Sequence, residues 1–416
     1  MKNEMLRADA SDASSMLGTS GTDGGAASAS GAAGGSQACV QAAQPQAEQP
    51  QAAQPQAEQP QAAQPQAAQH HQPRERQRLA LSALPLGITL TALLVLLVLF
   101  ALVALCVGRF QVHPLQAVRI IVSPFVNEPV TWTSNEYSVI MNVRVPRVIS
   151  AILVGAALAI SGASYQAVFR NPLVSPDILG VSAGACVGAA AAILLNFTSW
   201  YIQIFAFVGG IISVLITVGI PQLMRKSSNI VMVLSGIIVG GFMSSVIGLL
   251  KYVADTDTQL PEIVYWQLGS IAKVNMETLQ FTAPVLMIFI ALLLLFRWRL
   301  NLLALGEAEA KTLGVHLTLE RGFVIVASTI LTASAVSVSG TIGWIGLIIP
   351  HVSRRIVGSD NKRLLPITIV VAAIFMLIVD TIARSVCSLE IPLSILTGFI
   401  GAPIFGYLLV HQRRVD

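Results

Sequence analysis

Apolar residues run along most of this chain in blocks of about twenty, with few charges inside them and short polar turns between. A hydrocarbon core about 30 Å thick takes roughly 20 helical residues to cross. Blocks of that kind lie near 80–107, 148–169, 178–197, 202–224, 230–250, 279–296, 322–343, 344–357, 364–386 and 393–410. The eighth is short and holds Pro350, which removes a helix hydrogen bond. The pattern predicts an all-α polytopic membrane protein with about ten transmembrane helices. Composition agrees with it: 54% of residues are hydrophobic and 11% charged, with a mean hydropathy of +0.71, where soluble domains carry about 25% charged residues. That balance argues against a soluble enzyme. Cys39, Cys106, Cys186 and Cys387 show no paired spacing, so neither a disulfide framework nor a zinc site is expected.

Residues 1–78 follow a different rule. The unit QAAQPQAEQP occupies 41–50 and again 51–60, with a degraded copy after it. Gln, Ala and Pro at that period offer no apolar face to bury. We read 1–78 as a disordered, low-complexity cytoplasmic tail, or a tether, ahead of a transmembrane domain at 79–416. An apolar signal-peptide core is absent from the first thirty residues. Charge placement then orients the crossings. With both termini inside, Arg74, Arg76, Arg78, Arg170, Arg225, Lys226, Arg297, Arg299, Arg354, Arg355, Lys362 and Arg363 fall on the cytoplasmic side. Fewer cations, among them Arg109, Arg119, Lys251 and Lys273, fall outside, as the positive-inside rule requires.

Three segments carry polar residues that a plain anchor does not need. In 144–185, Arg144 and Arg147 flank Pro146, and the turn NPLVSPD places Asp177 in the first turn of the next helix, where the dipole favours an anion. The loop 297–321 holds two short helices broken at Gly306 and Gly314, able to lie on the bilayer or to dock a soluble partner. In 339–366, His351 beside Pro350 reads as a local hydrogen-bonding residue rather than a ligand. Asp380 and Arg384, four residues apart, pair on one helix face. Glycines and alanines in VGAALAISGAS and GVSAGACVGAAAA serve close helix packing, or line a passage.

Together with EIPLSILTGFIGAPIFGYLL at 390–409, and in this order, these segments resemble the FecCD-type permeases over about 79–416. Those are the membrane subunits of ATP-driven importers for iron–siderophores, haem and vitamin B12. The resemblance implies a type II ABC importer permease in a bacterial cytoplasmic membrane. Its partners would be a second permease subunit, identical or paralogous, two ATPase subunits and an extracytoplasmic substrate-binding protein. No nucleic acid is implied. Arg144 and Arg147, and more weakly Arg384, match the family's outer arginines that receive acidic residues of the binding protein. Gly306, Glu307, Ala310, Leu313 and Gly314 match its cytoplasmic coupling helices. The chain contains no G-x-x-x-x-G-K-[ST] phosphate loop, so ATP falls to the partner ATPase and no cofactor is expected here. The cargo expected is a ferric siderophore, or haem or cobalamin, passing a mostly apolar channel by alternating access without metal ligands from this chain. A secondary transporter driven by an ion gradient is the alternative, though midspan ionisable groups are few.

Overall fold

The computed structural model describes residues 85–412 apart from 125, 127–129, 226, 227, 315 and 388. The tail reading of 1–78 lies outside the described residues. Among these, all regular structure is helical. In chain order the helices are α1 (Leu86–Cys106), α2 (Pro114–Val122), α3 (Ser134–Ser138), α4 (Val145–Phe169) and α5 (Val181–Leu194). They continue as α6 (Ser199–Leu223), α7 (Asn229–Val253), α8 (Gln259–Leu268), α9 (Met276–Leu295) and α10 (Arg297–Ala304). The last five are α11 (Glu307–Thr312), α12 (Leu317–Ser339), α13 (Ile345–Val357), α14 (Asn361–Ser385) and α15 (Leu393–Gln412).

A helix occupies each of the ten apolar blocks; over the described residues seven are long and apolar enough to cross a membrane, and α5, α13 and α15 fall short of that. Two differ from the expectation. At 1.5 Å per residue, α5 with 14 residues and α13 with 13 reach only about 20 Å. Each therefore starts inside the helical layer. The block at 178–197 is split rather than continuous. Pro176–Leu179 form a single 3-10 turn, Gly180 takes the left-handed conformation at φ 81°, and α5 begins after it. Asp177 consequently lies in that turn, ahead of the helix rather than within it.

Position in the bundle follows side-chain size. The most apolar stretch of α1 is only 17% buried, whereas that of the helix running into α4 is 83% buried. Leucine and valine cover α1 and suit lipid. The α4 sequence is Ala-, Gly- and Ser-rich, so neighbouring backbones close on it from every side. It packs against α14, α12, α13 and α9. At Gly162 a Cβ atom would stand 1.9 Å from the Gly346 carbonyl oxygen of α13, and at Gly188 a Cβ would stand 1.9 Å from that of Phe205 in α6. Tyr165 is fully buried, and its hydroxyl meets Thr329 Oγ1 of α12 at 2.9 Å.

Caps set several boundaries. Thr133 and Glu136 form a reciprocal capping box at α3. Asn275 Oδ1 accepts from Thr278 N at 2.8 Å to start α9, and Asp360 Oδ1 accepts from Lys362 N at 3.0 Å to start α14. Between α3 and α4 one π turn, Val139–Arg144, widens the helix, and Pro146 follows where no amide donor is required.

We expect Gly162→Ala to destabilise the protein by about 1–3 kcal/mol, the usual range for overpacking. Gly241→Ala, whose Cβ would meet nothing within 4 Å, should be neutral. Thermal unfolding of the purified variants checks the pair; equal midpoints would contradict the close approach of α4 and α13.

Candidate functional site

Two ends of the bundle and one interior junction hold its polar chemistry. At the end where α4 begins and α14 finishes, Arg144, Arg147 and Arg384 come together, but their guanidinium groups turn inward. Their exposures are 4%, 5% and 7%. Arg147 donates from Nε to Asp380 Oδ1 at 2.8 Å, and from Nη1 and Nη2 to the two carboxylate oxygens of Glu390 at 2.8 and 3.0 Å. Arg384 approaches Asp380 Oδ2 at 3.7 Å, the expected i, i+4 pair, and donates to the Ala104 carbonyl. Arg144 donates to the carbonyls of Leu105 at 2.5 Å, Cys106 at 3.1 Å and Phe110. The cluster thus caps the bare carbonyls at the end of α1 and ties them to α4 and α14. In this conformation the three arginines are committed to partners within the chain; Arg109 is exposed and donates from Nη2 to the Cys387 carbonyl at 2.9 Å, and Arg119 is exposed.

The interior junction is built from broken helices. α8 ends at Gly269, α12 ends at Gly340, and α13 and α15 begin beside them. Their loose backbone groups satisfy one another. Ser270 N donates to Ser339 O at 2.7 Å, and Leu393 N to Gly269 O at 3.0 Å. Thr341 Oγ1 donates to Gln267 O at 2.6 Å, and Ser394 Oγ to Thr341 O at 2.5 Å. The second break, before α5, is covered by α6: Ser213 donates to Gly180 O at 2.8 Å and Thr217 to Leu179 O at 3.0 Å. Between the two breaks lies an open cavity of about 360 Å³. Asp177, Ser182, Cys186, Ser244, Gln267 and Thr341 line it, with Trp344 and Ser394. The wall is mixed, with Ala183, Ile247 and Ile342 among these polar groups. Among the described residues, no group of three His, Cys, Asp or Glu could hold a metal ion.

At the opposite end, the two short helices expected in 297–321 are present as α10 and α11. Leu300 and Leu303 are fully buried and seat α10 against α4 and α14. Asn301 Nδ2 donates to Asp360 Oδ1 at 2.6 Å, and Arg299 pairs with Glu320 at 2.9 Å. Gly306 opens α11, with Ala310 N donating to Gly306 O at 2.9 Å. Ala310 is buried against the body, while Leu313 is 58% exposed. Glu307 is the first residue of α11. Gly314 takes φ 74° in open space, so the chain reverses there into α12. Trp298, Leu305 and Leu313 are exposed apolar residues of this segment. His351 Nδ1 lies 2.9 Å from Leu347 O within its own helix, the local role expected of it.

Sequence reasoning missed α8, and with it Gln267 and the junction. Ten residues interrupted by Pro261 resemble a loop. The available cues were the Asx turn ahead of it and Gly269 behind it. In that turn the Thr258 hydroxyl and amide donate to Asp255 Oδ1 at 2.7 and 2.8 Å, which holds its carboxyl below the usual range. Glu390 as the second partner of Arg147 was also missed, since 243 residues separate the two.

Comparison with known proteins adds the following. The FecCD transport family matches residues 93–411. The chain is 40% identical over 328 residues to the molybdate import system permease protein MolB of Haemophilus influenzae, covering 78% of this chain and 96% of that one. It is 39% identical over 277 residues to a Helicobacter pylori protein described as an iron chelatin transport system permease, covering 67% and 84%. A solved ABC transporter described as of metal-chelate type, in an inward-facing conformation, is similar with a TM-score of 0.70 and 40% identity, over 78% of this chain and 99% of that one.

Removing one partner of a buried ion pair typically costs about 3–5 kcal/mol. Asp380→Asn should therefore lower the unfolding midpoint of the purified protein sharply, while Glu390→Gln, whose carboxylate is 28% exposed, should cost less. The same midpoint for wild type and Asp380→Asn would contradict the structural role of the cluster.

Proposed function

Because this chain belongs to the FecCD transport family, we propose that it is the permease through which an ATP-driven importer passes a chelated metal, first of all a ferric siderophore, with haem or cobalamin next. At the coarser level it is a multi-pass membrane permease subunit of an ABC importer. It is not an enzyme, and ATP hydrolysis belongs to a separate subunit. The observation that carries the transport proposal is the pair of half-helices. α5 and α13 begin inside the helical layer beside a cavity of mixed lining, and irregular backbone at membrane depth is tolerated where it lines a cavity or is covered by protein. An anchor has no use for either.

The remaining parts fit around that cavity. α7 presents Gly240, Gly241 and Gly248, where a Cβ would meet nothing within 4 Å, and α15 presents Phe399 and Tyr407. A second permease, identical or paralogous, would close the passage against these two open faces. The Gly306 end faces the cytoplasm of a bacterial cell in this proposal, and each of two ATPases holds one α11 and the exposed Leu313 beside it. Gly306, Glu307, Ala310 and Gly314 shape that element and its hinges. The binding protein docks on the opposite end. There Arg144, Arg147 and Arg384 fix the shape of the docking face, and Arg109 and Arg119 offer exposed charge. ATP binding would draw the ATPases together, move α11 and rock the two permeases to alternate access.

A second cargo, a small oxyanion, is favoured by one observation: the first turns of α5 and α15 and the start of α13 meet at the cavity, and helix N-termini are suited to anions. Uptake of labelled ferric siderophore, haem, cobalamin and molybdate, in cells lacking the chain and after its restoration, separates the cargoes. The proposal expects ferric siderophore uptake to return with the chain and to stop on ATP depletion; uptake that follows the ion gradient instead would refute it. Gly314→Pro, which forces φ to about −65° where the chain has φ 74°, should abolish uptake and release the ATPase. Leu313→Glu, at an exposed position, should weaken ATPase association without loss of folding.

A further inference from the structure

A second cavity, of about 370 Å³, opens at the Gly306 end between the last turns of α4 and α6 and the first turns of α7 and α12. Its floor is apolar, with Val168, Met232 and Ile325 among the residues that form it. Its rim is basic: Arg225 and Arg321 line it, and among the described residues no carboxylate does. The nearby Glu320 is engaged elsewhere, 2.9 Å from Arg299. Arg225 has a feature of its own. It ends α6 in the left-handed conformation at φ 53°, a position at which helices usually place glycine or asparagine. An arginine there is explained in part by the helix dipole. Yet its exposed side chain has no ion-pair or hydrogen-bond partner among the described residues.

We propose that this cavity binds an anionic phospholipid, the phosphate between Arg225 and Arg321 and an acyl chain over the apolar floor. Three features favour a lipid over a free anion. The floor needs an apolar occupant, because a dry apolar hollow forfeits contacts. The flanks are lipid-facing: Leu215 and Leu223 on α6, and Leu319, Phe323 and Val326 on α12, are all exposed, so the site opens toward hydrocarbon. Basic pockets between membrane helices are suited to phospholipid headgroups. The position adds a consequence. Leu317 and Thr318, on the cavity wall, are the first residues of α12, directly after the α11 segment. A bound lipid would therefore brace the element that follows the proposed coupling helix against α4 and α6, whatever the cargo.

Native mass spectrometry of the full-length protein, purified with its partner subunits from mixed micelles of equal phosphatidylglycerol and phosphatidylcholine, tests this. Wild type should retain phosphatidylglycerol roughly tenfold over phosphatidylcholine, as two charge-assisted contacts allow. Arg225→Gln with Arg321→Gln should abolish the preference, whereas Arg297→Gln, an exposed cation outside the cavity, should keep it. Gly322→Leu keeps both arginines but extends a side chain into open space at the cavity wall, and should lose the lipid while folding normally. Retention unchanged in both cavity variants would overturn the proposal. So would displacement of the lipid by inorganic phosphate alone, which would assign the rim to a free anion.

Discussion

A backbone amide within a bilayer has no water to bond, and an unsatisfied one costs several kcal/mol. That constraint governs where this helical layer can be interrupted. It is interrupted between α4 and α5, between α12 and α13, and between α14 and α15, and each time another element supplies the missing partner. Ser213 and Thr217 cover the carbonyls of the first break. Thr341, Ser394 and the ends of α8 and α15 cover the other two. The breaks are the reason the protein has an interior cavity at all, because unbroken helices of small residues would close on each other as α4 closes on α13 at Gly162.

The arginine cluster obeys the same constraint at the bundle's end. Ending α1 at Cys106 leaves its last carbonyls without helix donors, and Arg144 and Arg384 reach across to take them. Burying three guanidinium groups would be prohibitive without counter-charge, which Asp380 and Glu390 provide. The π turn before α4 sets where Arg144 falls around the helix, and Pro146, which has no amide donor, stands in the first turn after it. Charge on this face thus first holds α1, α4 and α14 in register, and Arg119 stands exposed beside it. The opposite end divides its labour similarly: Leu300, Leu303 and Ala310 anchor, and Leu313 projects.

Helices were legible from the sequence because block length and apolarity are local properties. All ten blocks hold one, and the block at 344–357 is short as its length gave, although α13 runs through Pro350 without the break expected there. Close-packing glycines in α4 and the two short helices of 297–321 were legible too. What stayed hidden is long-range. Nothing near Arg147 announces that Glu390 will clamp it, and Gln267 reaches the cavity only because α8, short and interrupted by Pro261, folds back beside α12 and α15. Asp177 was placed one element late because the left-handed Gly180 ends its turn before α5 starts. The polar groups of this cavity were not legible because its hydroxyls come from α5, α7, α15 and the segment ahead of α13, none of which reads as polar.

If the cavity between α5 and α13 is part of a passage of alternating access, its wall must face water from one side at a time. Ser244, exposed on α7 and lining that cavity, can be replaced by cysteine in the intact complex and probed with a membrane-impermeant maleimide from each face, with and without ATP. The account predicts labelling from one face only, with the reactive face exchanged when ATP binds. A cysteine that reacts equally in both nucleotide states, or from neither face in either state, would contradict it.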